Sequence, residues 1–322
     1  MKINIILFVL CTSLSFSQTD EELPRSVQHV LNPVTFEAIP YRSGDTSSID
    51  LIIFYRIKPE FFFFAKASTP QMEYYEAKGE LVFELFDDHN AAIAREFRPF
   101  IIERNSLPEE GDILSDEVQG VLTFKLKRGL VNVVIETKDD ESGKSYINRD
   151  TKIDTRMFSA GLNVSPAIFI ESPKSESSIG TPTEFIPINR GGSSIIGQPG
   201  LCMIQVTSPD TSTEVRLSWK LNSTHESDDD GPQEFHGEAF VQQFGTPVIL
   251  DIPKHPSFSI KKDSKQSRFI IIPLPLERLE NGRFKAEIKV TQGKSVTTKD
   301  FSFNILWPRK PHSLSDFKVA VA

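Results

Sequence analysis

The chain has 322 residues, of which 39% are hydrophobic and 25% charged, and its formal net charge is −8. This is the composition of an ordinary soluble globular protein, long enough for two domains that each bury a core. No block of like charges supplies the basic stripe that phosphate neutralisation demands, so nucleic acid and anionic membrane surfaces are excluded as expected partners.

Residues 1–17 begin with the positive Lys2, continue through an apolar run from Ile3 to Phe16, and end on Ser15-Phe16-Ser17, with small residues where a signal peptidase reads. The apolar run falls short of the roughly 20 residues that span a bilayer. A signal peptide cleaved before Gln18 is therefore expected, leaving no transmembrane span. Cys11 follows Leu10 rather than a small residue, which disfavours lipid attachment. The expected compartment is the periplasm, the outer membrane surface or the medium. After cleavage Cys202 is the remaining cysteine, so no intramolecular disulfide is possible. Its setting, Leu201-Cys202-Met203-Ile204, is that of a small buried hydrophobe.

Residues 18–33 read as a linker. From Val34 onward short strand-like runs alternate with turn residues, and helical periodicity is nearly absent, as in sandwiches and barrels. A first domain over 34–162 contains runs at 48–57, 61–67, 77–86, 93–103, 118–127 and 131–137. Glu80-Leu81-Val82-Phe83-Glu84-Leu85-Phe86 alternates imperfectly, which predicts a half-buried strand. Phe61 to Phe64 is a continuous apolar run and predicts a strand buried on both faces. Asp139-Asp140-Glu141-Ser142-Gly143 is a polar hairpin tip before the extended run 144–156.

The strand pattern lapses between Met157 and Ser165, and a second domain over 163–308 follows. Its runs lie at 167–170, 183–189, 201–207, 214–221, 234–242, 247–252, 268–274, 283–291 and 299–307. A bent link from Leu276 to Asn281-Gly282 leads into Phe284, an aromatic placed to pin the next strand, as after the corner of an immunoglobulin sandwich. Trp219 alternates inward with Leu217 and is expected in the core. The fold class is all-β: two tandem β-sandwiches, immunoglobulin-like or fibronectin-like, after a signal peptide.

Little chemistry survives inspection. Gly143-Lys144-Ser145 and Gly293-Lys294-Ser295 lack the leading glycine of a phosphate loop, because Lys138 and Ile288 stand there, and both read as β-turns. Gly191-Gly192-Ser193-Ser194, with Gly197 and Gly200, has no helix after it and reads as a flexible loop. His225, Glu234, His236 and Glu238 would form a metal site only if a hairpin folded back on itself. The most specific candidate is Glu226-Ser227-Asp228-Asp229-Asp230-Gly231, in which Glu226, Asp228 and Asp230 offer carboxylates at alternate positions, as a calcium loop does. The bidentate glutamate of such a loop is missing, since Gly237 occupies its place, and a solvated hairpin loop accounts for the run equally well. No catalytic residue and no cofactor is expected.

Asn304-Ile305-Leu306-Trp307 followed by Pro311-His312-Ser313-Leu314-Ser315-Asp316 resembles the junction in bacterial GWxTD domain-containing proteins, where a β-rich region closes on a Trp and a Pro-x-Ser-Leu-x-Asp segment opens a helix. Ile272-Pro273-Leu274, Leu279, Asn281-Gly282 and Phe284-Lys285-Ala286-Glu287-Ile288 resemble that family's last hairpin. Neither Trp219 nor Trp307 follows a glycine, so the motif that names the family is absent. The resemblance implies an exported bacterial protein without an assigned activity. Ser313 and Asp316 form a capping box, yet a helix from Leu314 to Ala322 is below the roughly 12–15 residues that are marginal alone. Residues 309–322 are thus expected to start a helix or linker toward a downstream domain, loosely docked, with Trp307 buried where the last strand ends. The functional expectation is a non-catalytic module of the bacterial envelope contacting proteins or glycans. The alternatives are an envelope hydrolase with a loop-assembled site and a glycan-binding module.

Overall fold

The computed structural model describes residues 33–42, 47–69, 72–107, 118–158, 161–171, 184–188, 190–195, 197, 200–223, 234–237, 240–241, 248–250, 258–260 and 267–306. The signal segment, the calcium candidates Glu226, Asp228 and Asp230, Trp307 and the expected C-terminal helix lie outside them.

The first sandwich uses eight strands: β1 (Val34–Arg42), β2 (Ser48–Ile57), β3 (Ala65–Ser68), β4 (Glu73–Phe86), β5 (Ala92–Arg104), β6 (Val118–Lys127), β7 (Leu130–Asp139) and β8 (Ser145–Asp154). β1-β2-β6 form one antiparallel sheet. β4 is the spine of the other, paired with β5 along one edge and with β3 and β7 along the opposite edge, β8 following β7. Lettered as in immunoglobulin folds, the order is A-B-E against C′-C-F-G, the fibronectin-like arrangement. Ala77, Leu81, Phe83 and Leu85 of β4 meet Ile49, Leu51, Ile53 and Ile57 of β2 in a hydrophobic core between the sheets. The alternation read in β4 places these residues inward and Glu80, Val82 and Glu84 outward.

Phe61 to Phe64 do not form a strand. Pro59–Phe61 is a 3-10 turn, Phe61, Phe62 and Phe64 are buried, and Phe63 is 59% exposed. Pro59 fixes the backbone of that turn, and the Phe62 ring packs edge-on against Phe61 and Phe100, at 5.0 and 5.1 Å between centroids. The Phe63 N–H donates to the carboxylate of Asp139 at 3.0 Å. Asp139 is fully buried and also accepts from the N–H groups of Glu141 and Ser142 and from the Ser142 hydroxyl. The expected hairpin tip is present, with Gly143 at φ +70°, but its first aspartate is an internal anchor rather than a solvated residue.

The second sandwich comprises β9 (Asn163–Val164), β10 (Ile168–Glu171), β11 (Glu184–Phe185), β12 (Ser193–Ile195), β13 (Gly200–Thr207), β14 (Val215–Ser223), β15 (Glu234–Gly237), β16 (Phe240–Val241), β17 (Val248–Leu250), β18 (Phe258–Ile260), β19 (Ser267–Ile272), β20 (Gly282–Gln292) and β21 (Ser295–Leu306). Its two main sheets run β10-β13-β19-β16, with β9 beside β13, and β12-β21-β20-β14-β15; β11-β17-β18 form a small third sheet. In letters these are A-B-E-D and A′-G-F-C-C′, with A′ parallel to G, an immunoglobulin order. Cys202 on strand B and Trp219 on strand C are buried, as expected. The corner Leu276–Arg278 is a 3-10 turn, and Phe284 beyond it is buried and stacks on Phe303 at 5.8 Å. The glycine-rich segment differs from a flexible loop: Ser193–Ile195 pairs in parallel with β21, and Ser193 and Ser194 are fully buried.

The two sandwiches share a third core. β2 is buried on both faces: Ile52 and Phe54, with Ile39 and Tyr41 of β1, pack on Ile168, Ile170, Met203, Phe269 and Ile271 of the second sandwich. Polar contacts close its rim. The buried side-chain amide of Gln205 accepts from the Arg42 N–H at 2.9 Å and donates to the Arg42 carbonyl at 3.4 Å. Glu37 accepts from the Gly192 N–H, and Arg56 donates to the Pro187 carbonyl. Four sheets therefore stack in one block, with β5-β4-β7-β8 outermost at one end and β12-β21-β20-β14-β15 at the other.

Candidate functional site

The two end faces of this block differ in chemistry. On β14-β20-β21 the outward positions form rows such as Lys220-Glu287-Asp300 and Asn222-Lys285-Ser302, which is an ordinary solvated sheet face. On the first sandwich the outward rows carry apolar side chains among the charges: Phe97-Val82-Glu136-Ile147 across all four strands, flanked by Pro99-Glu80-Lys138-Ser145 and by Ile101 beside Lys78. Phe97, Ile101 and Ile147 are 49%, 59% and 42% exposed. Lys78 pairs with Glu76 at 2.7 Å and Arg95 with Glu84 at 3.2 Å, which leaves the apolar row between two ion pairs.

This face runs into a groove of about 590 Å³ at the end of the sheet, lined by Thr69, Met72, Tyr74, Glu103, Arg104, Asn105 and Ser106. One wall holds Thr69 and Met72, between β3 and β4, joined by Thr69 N–H to the Met72 carbonyl at 2.8 Å and Met72 N–H to the Thr69 hydroxyl at 3.2 Å. The other is the end of β5, held in register by Tyr75 opposite Arg104 and Glu76 opposite Glu103. The Arg104 guanidinium lies 5.9 Å from the Phe64 ring centroid, which ties that wall to the core. No motif marked this groove in the sequence, because its walls are some thirty residues apart and meet only through the β4–β5 register.

Among the described residues, Asp87, Asp88 and His89 bring their ligand atoms within 4.8 Å of one another. They build a turn: Asp87 accepts from the N–H groups of His89 and Ala91 at 2.9 and 2.8 Å, and Asn90 takes φ +60°. Glu234 and His236, weighed above as metal ligands, stand on β15 opposite Asn222 and Lys220, while His225 and Glu238 lie outside the described residues. Cys202 is no nucleophile, since complete burial, with Glu37 adding to it, pushes its thiol pKa far above the ordinary range. Burial likewise raises the Tyr41 phenol, the Cys202 thiol and Glu37 adding to the shift and Ser165 opposing it.

Strand order and displayed face define an all-β protein of two stacked sandwiches with one extended, partly apolar outer sheet. Among the described residues no helix is long and apolar enough to cross a membrane. No family model matches the chain, and no curated protein matches it. Among solved structures it is similar to a family 123 glycoside hydrolase from Clostridium perfringens, at 20% identity and TM-score 0.23 over 37% of this chain and 23% of that one. It is also similar to the C-terminal domain of the antigen I/II-family protein AspA of Streptococcus pyogenes, at 8% identity and TM-score 0.18 over 85% of this chain and all of that one. The C-terminal domain of the antigen I/II polypeptide BspA of Streptococcus agalactiae gives 8% identity and TM-score 0.18 over 84% of this chain and 100% of that one. Scores of this size do not bear on the topology, which rests on the strand pairing.

Proposed function

We propose that the chain is an exported, non-catalytic interaction module of a bacterial envelope that makes protein or glycan contacts through the outer sheet of its first sandwich. The observation that carries this reading is the exposed row Phe97-Val82-Glu136-Ile147 with Ile101, on a sheet whose other face is a closed core. Aromatic and aliphatic side chains displayed together on a rigid surface mark contact sites. The signal-peptide pattern supports the export part, and the resemblance to GWxTD domain-containing proteins supports the bacterial envelope. The purified mature chain should co-sediment with envelope fragments without releasing product, and the double variant Phe97→Ser/Ile101→Ser should stay in the supernatant. Release of sugar or ester products, abolished by a single loop substitution, would replace this reading by a hydrolase. The exported protein should begin at Gln18 on N-terminal sequencing, and the coding sequence after Ala322 should reveal whether a Gly-Trp-x-Thr-Asp domain follows.

A further inference from the structure

The groove beside the displayed face has a chemistry of its own. Its volume of about 590 Å³ lies within the roughly 300–1,000 Å³ of small-ligand sites. Among the described residues, five of the seven that line it are polar: the hydroxyl groups of Thr69 and Ser106, the amide of Asn105, the carboxylate of Glu103 and the guanidinium of Arg104. The planar groups among them can each engage two neighbouring hydroxyls at once. Tyr74 adds an aromatic ring and Met72, half exposed, an adaptable apolar patch.

Two other ligand classes fit less well. Among the described residues a polyanion would meet one cation, Arg104, next to one anion, Glu103. A peptide adding as a strand would need the outer edge of β5, unpaired among the described residues, which Pro99 interrupts and which carries Glu96 and Arg98, paired at 2.8 Å, on its core-facing side. A ligand rich in hydroxyl groups, without net charge and with apolar C–H faces matches the described lining.

We infer that the groove between Thr69, Met72 and Tyr74 on one side and the end of β5 on the other is a binding site for a neutral oligosaccharide. The inference rests on the interaction-module reading and gives one part of that surface a ligand class. The test is calorimetric titration of the full mature chain with cellotetraose, maltotetraose and tetra-N-acetylchitotetraose, with heparin and an extended tetrapeptide as comparators. Saturable binding of at least one neutral sugar is expected, weakened about tenfold in Tyr74→Ala and several-fold in Glu103→Gln, with melting temperatures unchanged. Should Tyr74→Ala fold poorly, Tyr74→Leu keeps an apolar side chain and removes the ring. Amide shifts of Asn105 and Ser106 on titration locate the site independently. Binding of none of the sugars, equal binding in the Tyr74 variants, or preference for heparin or peptide would each overturn the assignment. If the sugars fail while co-sedimentation through Phe97 and Ile101 persists, the groove assignment falls and the broader reading stands.

Discussion

Gly120 stands directly opposite Tyr55 in the β2–β6 pair, and a methyl group there would lie 2.3 Å from the tyrosine hydroxyl oxygen and 2.5 Å from Cζ. The ring is wedged between Phe83, 5.4 Å away, and the neighbouring strand, so it has little freedom to withdraw. Gly120→Ala should destabilise the protein by about 1–3 kcal/mol in urea unfolding, and Tyr55→Leu in the same chain should recover part of that loss. Two buried acids set an alkaline limit. Cys202 and Tyr41 have raised pKa values in the folded state, so the unfolded chain loses their protons first. The stability associated with these neutral groups is complete below the unfolded-state pKa of each and is lost as pH rises above it, from about pH 8.5 for the thiol and about pH 10 for the phenol. Unfolding free energy measured from pH 8 to 11 should therefore fall from the lower value, whereas Cys202→Ala should hold a flat profile until the tyrosine range. The burial of Cys202 and of Trp219 was legible from their neighbours alone, since an apolar run around the one and alternation around the other imply burial wherever the strands end up.

Among the elements, β5 is the one whose sequence is arranged against its own tendency to pair. A 13-residue strand at a sheet edge among the described residues, with Phe97 and Ile101 exposed, would recruit other strands. Pro99 withholds a backbone N–H, and Glu96 and Arg98 place charge on the face an incoming strand would have to bury. Replacing all three, as Glu96→Thr, Arg98→Thr and Pro99→Val, should raise the light-scattering mass at a concentration where the unaltered chain shows no increase. Most strands were legible because their turn residues and alternation are local. Several were not, β1, β9 and β18 among those that no run covered, and two misreadings have a definite reason. The four phenylalanines look like a strand only if Pro59 is ignored, and the seat of Phe62 depends on Gly79, where a Cβ would meet the Phe62 and Phe100 rings at 2.8 and 2.9 Å. The short β12 is invisible locally because its partner, β21, lies more than a hundred residues further along the chain. The groove escaped for the same reason, since it exists only once β4 and β5 are in register.

At the scale of the whole molecule, the third core turns two sandwiches into one cooperative body. Domain contacts within a chain are commonly polar and permit relative motion, but here Ile39, Ile52, Ile168, Ile170 and Met203 are at most 1% exposed. Calorimetry should show a single transition for the two sandwiches. Ile52→Asn, which buries an amide in that contact while sparing both sandwich cores, should split it into two, and Gln205→Ala should lower the midpoint without splitting it. The two-domain reading from length implied a core for each sandwich. It gave no sign of the third, because the alternation of β2 is erased by the residues on its second face, and a strand apolar on both sides looks the same whether its cover is near or far in sequence.

That doubly covered strand also fixes an order of events in time. Ile52 and Phe54 leave the ribosome long before Phe269 and Ile271, which cover them. At roughly 5–20 residues per second the interval is on the order of ten to forty seconds. Throughout it the first sandwich, even if closed, presents a greasy flank with nothing to set against it. A chain built in this way has to be held unfolded, or shielded by a chaperone, until its second half arrives.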